Sequence, residues 1–305
     1  MMAAPSQDHA MYLNELLQGI VPVADCDNCL VSGLQLDSRR IANGDLFIAC
    51  RGTTVHGVSH VAEALQRGAA AVIYEPEGAN GVHPLGVPAI AVENLGRYVG
   101  EIASRFYGNP SRSLRVVGIT GTNGKTSCAH YLAQALHRPT APCGVVGTIG
   151  TGLYGALEPS RNTTPDAVAV QSALSRFHLA GAREVVMEVS SHALEQGRVR
   201  GVTFSTAVFT NLTHDHLDYH GDMAAYEAAK RRLFTWPDLA SVVINIDEPA
   251  GRRLASDVAL TVNSVVYGLN AEAVRAPEDQ PTGGASRHLW AHAGRVNPNG
   301  SHIGV

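Results

Sequence analysis

Short runs of apolar residues recur along the chain and predict buried strands. In the second part of the chain these runs alternate with helix-like stretches such as 166–180. Strands that are apolar on both faces are typical of a parallel sheet covered by helices on each side. We therefore predict an α/β domain with strands at 115–119, 144–148, 184–189, 205–210 and 241–246.

A smaller α/β pattern occupies the first part of the chain, with strands at 45–49 and 69–74 and a helix near 61–67. A further helix ends near Phe106, and the breakers Gly-Asn-Pro-Ser follow it. Because such breakers mark boundaries, we predict a small α/β domain at 1–110 and a P-loop-type domain at 111–305. The second domain is expected to have a mostly parallel sheet with helices on both faces.

The end of the chain, 271–305, has no clear hydrophobic periodicity. We expect it to be a divergent or truncated end of the second domain.

Composition narrows the class of protein. The chain has 305 residues, of which 45% are hydrophobic, and this suits two packed domains. The net charge of -4 argues against a nucleic-acid-binding protein. No apolar stretch is long enough to cross a membrane and the start lacks a signal peptide, so we expect a cytoplasmic protein. The five cysteines have no zinc-site spacing and are interpreted as free thiols.

The most specific signal is the run Gly-Thr-Asn-Gly-Lys-Thr at 121–126, between a predicted strand and a predicted helix. Glycines let backbone N–H groups face an anion, Lys125 adds positive charge, and the Thr126 hydroxyl can bind a nucleotide-bound magnesium ion. Ile119 stands where the usual spacing has its first glycine. The run predicts ATP binding, with these candidate residues: Gly121, Thr122, Asn123, Gly124, Lys125, Thr126, Ser127 and, at the end of a later strand, Asn245.

Glu188 lies in a predicted strand that is otherwise apolar. A buried carboxylate is costly unless a cation or hydrogen-bond donors compensate it. We predict that Mg²⁺ compensates the Glu188 carboxylate. An ion pair with an arginine such as Arg198 is the alternative.

The segment 211–220 is dense in imidazoles and carboxylates. His214, His216 and His220 could form a zinc site, but a neighbouring phosphate loop favours a magnesium–nucleotide site with one histidine ligand. The stretch 223–234 that follows is predicted to be a helix carrying Lys230. Taken alone, Lys230 is more readily explained as a solvated or ion-paired helix lysine.

The glycine loop, the run Asp-His-Leu-Asp at 215–218 and the run Tyr-Glu-Ala-Ala-Lys at 226–230 together resemble the Mur ligase family. The resemblance implies that Lys230 is carbamylated and holds a second Mg²⁺ with His216, while Thr126 and Glu188 hold the first. Carbamylation would turn a cation that repels Mg²⁺ into an anionic oxygen ligand. The resemblance also implies Lys125, Lys230 and His216 as catalytic residues, with His192 as a candidate proton carrier.

The first domain resembles the MurE subfamily through Leu-Asp-Ser-Arg at 36–39 and Gly-Asp-Leu-Phe at 44–47. This resemblance implies an ATP-dependent ligase of peptidoglycan precursor synthesis. Such an enzyme adds a diamino acid, meso-2,6-diaminopimelate or lysine, to UDP-N-acetylmuramoyl-L-alanyl-D-glutamate through an acyl phosphate, as a monomer. The implied substrate-binding residues are Leu36, Ser38, Thr53, Thr54, Asn162, Thr163, Thr164, Ser190, Gln196 and Arg198.

Several alternatives remain at this stage. MurF and folylpolyglutamate synthase share the loop and the helix lysine, and a P-loop kinase shares the loop alone. Because no motif of the third domain of these ligases appears in the chain, we expect little or no turnover. A noncatalytic protein that binds the UDP-linked precursor is the remaining alternative.

Overall fold

The computed structural model describes residues 9–52, 55–79, 86–258, 262–269, 287–290, 292–293 and 303–304. The chain forms two compact units. The first contains the described residues up to Ser113 together with Pro165–Ala180 and Gln196–Val202, and the second contains Leu114–Thr164, Gly181–Glu195 and the described residues from Thr203 onward.

The first unit contains a four-stranded parallel sheet in the order β3-β4-β5-β6 and a separate antiparallel pair, β1 and β2. Its helices and strands are β1 (Met11–Tyr12), α1 (Leu13–Leu16), β2 (Leu30–Val31), β3 (Gly33–Gln35), β4 (Asp45–Ala49), α2 (Val61–Gln66), β5 (Ala71–Tyr74), β6 (Ala89–Ala91), α3 (Val99–Phe106) and, from later in the chain, α5 (Ala167–Leu179).

Strand β4 explains why this sheet is covered on both faces. All five of its residues are buried. Successive side chains of a strand point to opposite faces, so Leu46 and Ile48 join one hydrophobic cluster while Phe47 and Ala49 join another. The strand predicted at 45–49 is therefore present, and the structure shows that it is an inner strand of a parallel sheet.

The second unit contains a larger sheet with nine described strands in the order β10-β9-β8-β11-β7-β12-β13-β14-β15. Its helices and strands are β7 (Arg115–Thr120), α4 (Lys125–Leu136), β8 (Cys143–Val146), β9 (Thr151–Leu153), β10 (Ala156–Glu158), β11 (Glu184–Glu188), α6 (Ser191–Glu195), β12 (Thr206–Phe209), α7 (Leu217–His220), α8 (Met223–Arg231), β13 (Ser241–Asn245), α9 (Pro249–Val258), β14 (Asn263–Gly268), β15 (Arg287–Trp290), β16 (His292–Ala293) and β17 (Ile303–Gly304).

In the order of the sheet, the described strands β8, β11, β7, β12, β13, β14 and β15 pair in parallel, whereas β9 and β10 at one edge pair antiparallel. The chain passes from β7 to β8 and β11 on one side of β7, and then to β12 on the other side. The carboxyl end of β7 is therefore a topological switch point, which is where open α/β sheets bind ligands. The predicted mostly parallel α/β fold is confirmed.

Helix α4 and the segment after α8 cover opposite faces of the large sheet. Ala129 and Ala133 of α4 cluster with Ile119 and Val186 on one face. On the other face, a Cβ added to Gly118 would lie 2.9 Å from the Phe204 ring and 3.3 Å from Leu233. Glycine at 118 therefore lets these large side chains pack against the backbone of β7.

The strands predicted from the apolar runs form within two residues of the predicted bounds. The predicted helix 223–234 is α-helical as far as Arg231 and continues as a 3₁₀ turn, Arg232–Thr235. The antiparallel hairpin of β9 and β10 was not predicted, because its strands have only three residues each. All five cysteines are free, and no helix among the described residues is long and apolar enough to cross a membrane.

Within 271–305 the structure describes β15, β16 and β17. Strand β15 extends the parallel sheet beside β14, whereas β16 and β17 pair with each other.

Candidate phosphate-binding site

The glycine loop joins the central strand β7 to helix α4. Gly124, the residue before the helix, has φ +81°, and Gly121 has φ +148°. A Cβ on Gly121 would also collide with the Thr210 side chain. The loop conformation therefore requires glycine at both positions, and it directs the N-terminus of the 12-residue helix α4 toward the end of the strand.

Both lysines of the chain bind this loop. Lys125 and Lys230 are the only lysines in the sequence. The Lys125 ammonium donates to the carbonyl oxygens of Gly121 and Thr122, at 2.8 Å in each case. The Lys230 ammonium, from helix α8, also donates to the Gly121 oxygen at 2.8 Å. Two lysine amines from different helices therefore meet on one carbonyl group of the loop.

Lys230 is unusual because it is only 2% exposed. Burial, with the nearby Lys125 charge, lowers the pKa of Lys230 to about 7, and the Asp215 carboxylate opposes this shift. Its ammonium lies 4.3 Å from the centroid of the Tyr226 ring. Burial also lowers the pKa of Lys125, while Glu188 and Asp215 act in the opposite direction. Lys230 is therefore a buried amine that readily loses its proton near neutral pH.

Glu188 lies at the carboxyl end of β11 beside the loop and is 1% exposed. Its carboxylate accepts hydrogen bonds from the Thr126 hydroxyl at 2.8 Å and from the Thr148 backbone N–H at 2.9 Å. The Thr148 hydroxyl lies 3.1 Å from the same carboxylate. The predicted pair of Thr126 and Glu188 is thus in direct contact, and the hydroxyl and backbone N–H donors compensate the buried charge.

A second group of hydroxyl residues surrounds the end of β11. The Thr164 hydroxyl donates to the Glu188 carbonyl oxygen at 2.8 Å and accepts from the Ser190 N–H at 3.1 Å. The Thr163 and Thr148 hydroxyls are 3.0 Å apart. Asn162, by contrast, is exposed.

The histidines of segment 211–220 have different surroundings. His216 is exposed, adopts a left-handed conformation with φ 53°, and lies 3.5 Å from Asp215. The His220 ring is buried, with its nitrogens 2.9 Å from the Ser191 hydroxyl and 3.2 Å from Glu195. The His192 and His216 rings are 4.9 Å apart.

The zinc alternative receives no support from this arrangement. Across the part of the chain that the structure describes, no group of three or more His, Cys, Asp or Glu residues is placed to hold a metal ion.

The remaining nucleotide candidates occupy the same edge of the sheet. The Asn245 side chain donates to the Thr210 carbonyl at 2.8 Å and accepts from the Asp247 N–H at 3.0 Å. Asn123 is exposed, and its N–H donates to the Asn211 side chain at 2.8 Å. Ser127 is exposed in the first turn of α4.

The structure describes four of the six candidate substrate-binding residues in the first unit. The buried Ser38 hydroxyl donates to Glu63 at 2.6 Å, and Leu36 is half-buried. Arg198 donates to the Gln196 side chain at 2.6 and 2.9 Å. Thr53 and Thr54 lie outside the described residues.

Tyr226 and Thr148 contact residues of the site, but the sequence did not identify them as site residues. The Tyr226 hydroxyl lies 3.1 Å from the Thr122 hydroxyl of the glycine loop. Thr148 could have been suspected because it follows strand β8, whose carboxyl end points to the same edge as that of β7. Nothing in the local spacing of Tyr226 distinguishes it from an ordinary core tyrosine.

The residues present fit a magnesium–nucleotide complex. Hydroxyl and carboxylate oxygens, such as those of Thr126 and Glu188, are the ligands that Mg²⁺ prefers in proteins. Lys125 and the N-terminus of α4 provide the positive potential that phosphate groups need. The fold and the site together define a class: an α/β protein with a phosphate-binding loop at a topological switch point.

The chain belongs to the Mur ligase family. The model of the Mur ligase middle domain matches residues 119–296, and the model described as Mur ligase family, catalytic domain, matches residues 30–107.

Curated relatives support the same family at high identity. The chain is 53% identical over 251 residues to the UDP-N-acetylmuramoyl-L-alanyl-D-glutamate--2,6-diaminopimelate ligase of Pseudomonas putida, covering 82% of this chain and 51% of the relative. It is 54% identical over 247 residues to the ligase of the same name from Pseudomonas aeruginosa, covering 81% of this chain and 50% of the relative. The chain thus spans about half the length of the curated relatives it matches.

Solved structures give the same result for the fold. A structure of a ligase with this name superposes with a TM-score of 0.72 at 32% identity, covering 86% of this chain and 53% of that chain. MurF from Acinetobacter baumannii superposes with a TM-score of 0.61 at 16% identity, covering 85% of this chain and 53% of that chain, which indicates a shared fold only.

The Tyr226 hydroxyl gives a first testable prediction. Tyr226→Phe keeps the ring beside Lys230 but removes the bond to Thr122, so we expect it to lower the free energy of unfolding by about 1 kcal/mol. Urea unfolding measures this change. Tyr131→Phe is the control, because the Tyr131 side chain is exposed. Equal stability of both variants would contradict a role for the buried bond.

Proposed function

We propose that the chain carries nucleotide- and precursor-binding parts of an ATP-dependent ligase that adds 2,6-diaminopimelate to UDP-N-acetylmuramoyl-L-alanyl-D-glutamate. The observation that carries the proposal is the convergence of Lys125 and buried Lys230 on the Gly121 carbonyl of a phosphate loop. A P-loop kinase needs the first lysine but gives no reason for the second. The relatives' names supply the substrates.

In the proposed reaction, the side-chain carboxylate of the precursor's glutamate attacks the γ-phosphorus of ATP, the bond to the β–γ bridging oxygen breaks, and ADP leaves. The resulting acyl phosphate is then attacked by an amine of the diamino acid, which forms an amide and releases phosphate. Loop N–H groups and Lys125 would bind and orient the phosphates, so the catalytic contribution of this chain is positioning and charge neutralisation.

Thr126 and Glu188 would hold one Mg²⁺, and His216 with a carbamate on Lys230 would hold a second. The ions would neutralise charge on the transferred phosphoryl group. Carbamylation needs an unprotonated amine: the Lys230 nitrogen attacks CO₂, a proton leaves, and an N-carboxylate remains. A buried lysine whose pKa is about 7 meets this requirement near neutral pH.

The precursor would bind through the candidate residues named above. In the second unit, Thr163, Thr164 and Ser190 present hydroxyl groups beside Glu188, and such groups suit phosphate and peptide oxygens. In the first unit, Leu36 and Ser38 would contact the uridine moiety. We further propose that the protein acts as a monomer in the cytoplasm and that the diamino acid is the meso form of diaminopimelate.

Calorimetric titration tests the proposal. The chain would be titrated with UDP-N-acetylmuramoyl-L-alanyl-D-glutamate, and in parallel with the precursor that lacks D-glutamate, in the presence of Mg²⁺ and a nonhydrolysable ATP analogue. Binding that depends on the glutamate residue is the expected result. Binding of the nucleotide with neither precursor would overturn the proposal in favour of a sibling ligase or a kinase.

A phosphate-release assay with diaminopimelate then separates two cases. Release supports a catalytic chain. Precursor binding without release supports the noncatalytic alternative.

A further inference from the structure

A line of hydroxyl groups joins the segment around Thr163 to Glu188. The Thr163 and Thr148 hydroxyls are 3.0 Å apart, and the Thr148 hydroxyl is 3.1 Å from Glu188 Oε2. The Thr148 N–H donates to the other carboxylate oxygen, Oε1, at 2.9 Å. Thr148 therefore binds both oxygens of the proposed magnesium ligand and also contacts a proposed precursor-binding residue.

The Thr148 hydroxyl is the donor in both contacts of this line. It has one proton and two acceptors within reach, the Thr163 hydroxyl oxygen at 3.0 Å and Glu188 Oε2 at 3.1 Å, so it donates fully to only one of them at a time. Hydrogen bonds in such a chain polarise one another. A hydroxyl that donates its own proton to an anion therefore becomes a stronger acceptor.

The approach of Thr148 to the carboxylate is fixed by the backbone. A Cβ added to Gly147 would collide with the Glu188 carboxylate, so only glycine allows the segment to come this close. Thr164 holds the Glu188 carbonyl through a separate bond. Removing the Thr148 hydroxyl should therefore break the line without releasing either segment from the end of β11.

We infer that Thr148 is a positioning residue that couples precursor binding at Thr163 to magnesium–nucleotide binding at Glu188. The inference rests on the proposed function. When an anionic precursor group accepts the Thr163 proton, the Thr163 oxygen becomes a stronger acceptor for the Thr148 proton, and the bond from Thr148 to Glu188 weakens. The Glu188 carboxylate, which is then less tightly hydrogen-bonded to Thr148, binds the cation more tightly. Thermodynamic linkage requires that the nucleotide strengthen precursor binding by the same factor.

The test measures the affinity of a nonhydrolysable ATP analogue with Mg²⁺, in the absence and presence of saturating precursor, by calorimetry on the whole chain. For the wild type, the precursor should lower the dissociation constant of the analogue about 2- to 10-fold, the range of one hydrogen bond. Thr148→Val should bring this ratio close to 1, and Thr148→Ser should restore it.

Thr151→Val is the matched control. Thr151 lies three residues further along, and its buried hydroxyl has no hydrogen-bond partner among the described residues. The same chemical change there should leave the wild-type ratio intact. Thermal unfolding of each variant checks the fold, and Thr148→Ala replaces Thr148→Val if the valine variant does not fold.

The outcomes separate the inference from the proposed function. If the wild type binds both ligands and Thr148→Val keeps the wild-type ratio, the role of Thr148 is overturned and the ligase proposal stands. If the wild type binds both ligands independently, the inference is overturned as well. If the wild type binds no precursor, both the inference and the ligase proposal are overturned.

Discussion

Replacing Lys230 with methionine is expected to stabilise the folded chain at neutral pH and to remove the proposed carbamate. Lys230 is 2% exposed, and burial together with Lys125 lowers the pKa of its ammonium from 10.5 to about 7. A buried charge of this kind costs folding free energy. Methionine has a similar length and no charge, so it fills the space without that cost.

The pH dependence of this effect follows from the two pKa values. Between pH 7 and 10.5 the unfolded lysine holds a proton that the folded one has lost, so wild-type stability rises with pH across this window. Below pH 7 both states are protonated and the full cost is present, at most about 5 kcal/mol at about 1.4 kcal/mol per pH unit. The advantage of Lys230→Met should thus be largest below pH 7 and vanish toward pH 10.5.

Urea unfolding of the two proteins at pH 6, 8 and 10 measures this difference. Because the chain has two lysines, selective ¹³C labelling of lysine gives two signals, and Lys230→Met assigns them. The Lys230 signal should titrate near pH 7. A midpoint near 10.5, or a variant less stable than the wild type at pH 6, would contradict the account of a buried amine.

In an assay in which the wild type releases phosphate with precursor and diaminopimelate, the same variant should lose that release. Loss of one charged group that acts on the transferred phosphoryl group is expected to lower the rate by about 10²- to 10³-fold. With ¹³C-bicarbonate, a carbamate signal should appear in the wild type and be absent from Lys230→Met. Full activity of the variant would contradict the proposed carbamate.

Glu188→Gln is expected to remove the magnesium dependence of nucleotide binding. Glutamine has nearly the same shape and can still bond to Thr126 and Thr148, but it lacks the negative charge that a magnesium ligand provides. Calorimetry with the ATP analogue in Mg²⁺ and in EDTA measures the change. In the wild type, Mg²⁺ should strengthen binding at least about 10-fold, which is about 1.4 kcal/mol, whereas the variant should bind equally under both conditions.

Glu184→Gln is the control for this experiment. Glu184 lies on the same strand, at its opposite end, and pairs with Arg115. It should retain the wild-type response to Mg²⁺. If Glu188→Gln retains that response as well, Glu188 is not a magnesium ligand.

The parts of the fold that sequence predicted best are those encoded by local pattern. The buried strand β4 coincides with its apolar run, because burial on both faces requires every residue to be apolar or paired. The glycine loop was recognised because its backbone conformation needs Gly121 and Gly124 at fixed positions. The hairpin of β9 and β10 was missed, since three-residue strands give too short a pattern.

In the candidate site, too, the residues predicted from the sequence are those marked by a local pattern. Glu188 was identified because a charge interrupts an apolar strand, and its contact with Thr126 is present across 62 positions of sequence. The predicted roles in metal, nucleotide and precursor binding remain predictions. Thr148 and Tyr226 were not assigned to the site, because a threonine after a strand and a tyrosine on a helix stripe are common in structural positions.

The sequence by itself determined the α/β class, the loop and the family, because hydrophobic period, glycine placement and motif spacing are local properties of the chain. Only the tertiary structure decided that Lys230 joins Lys125 on one carbonyl and that Thr148 reaches Glu188. These bonds connect residues 109 and 40 positions apart. Such contacts arise from strand order and helix packing, which bring the carboxyl ends of β7, β8 and β11 to one edge.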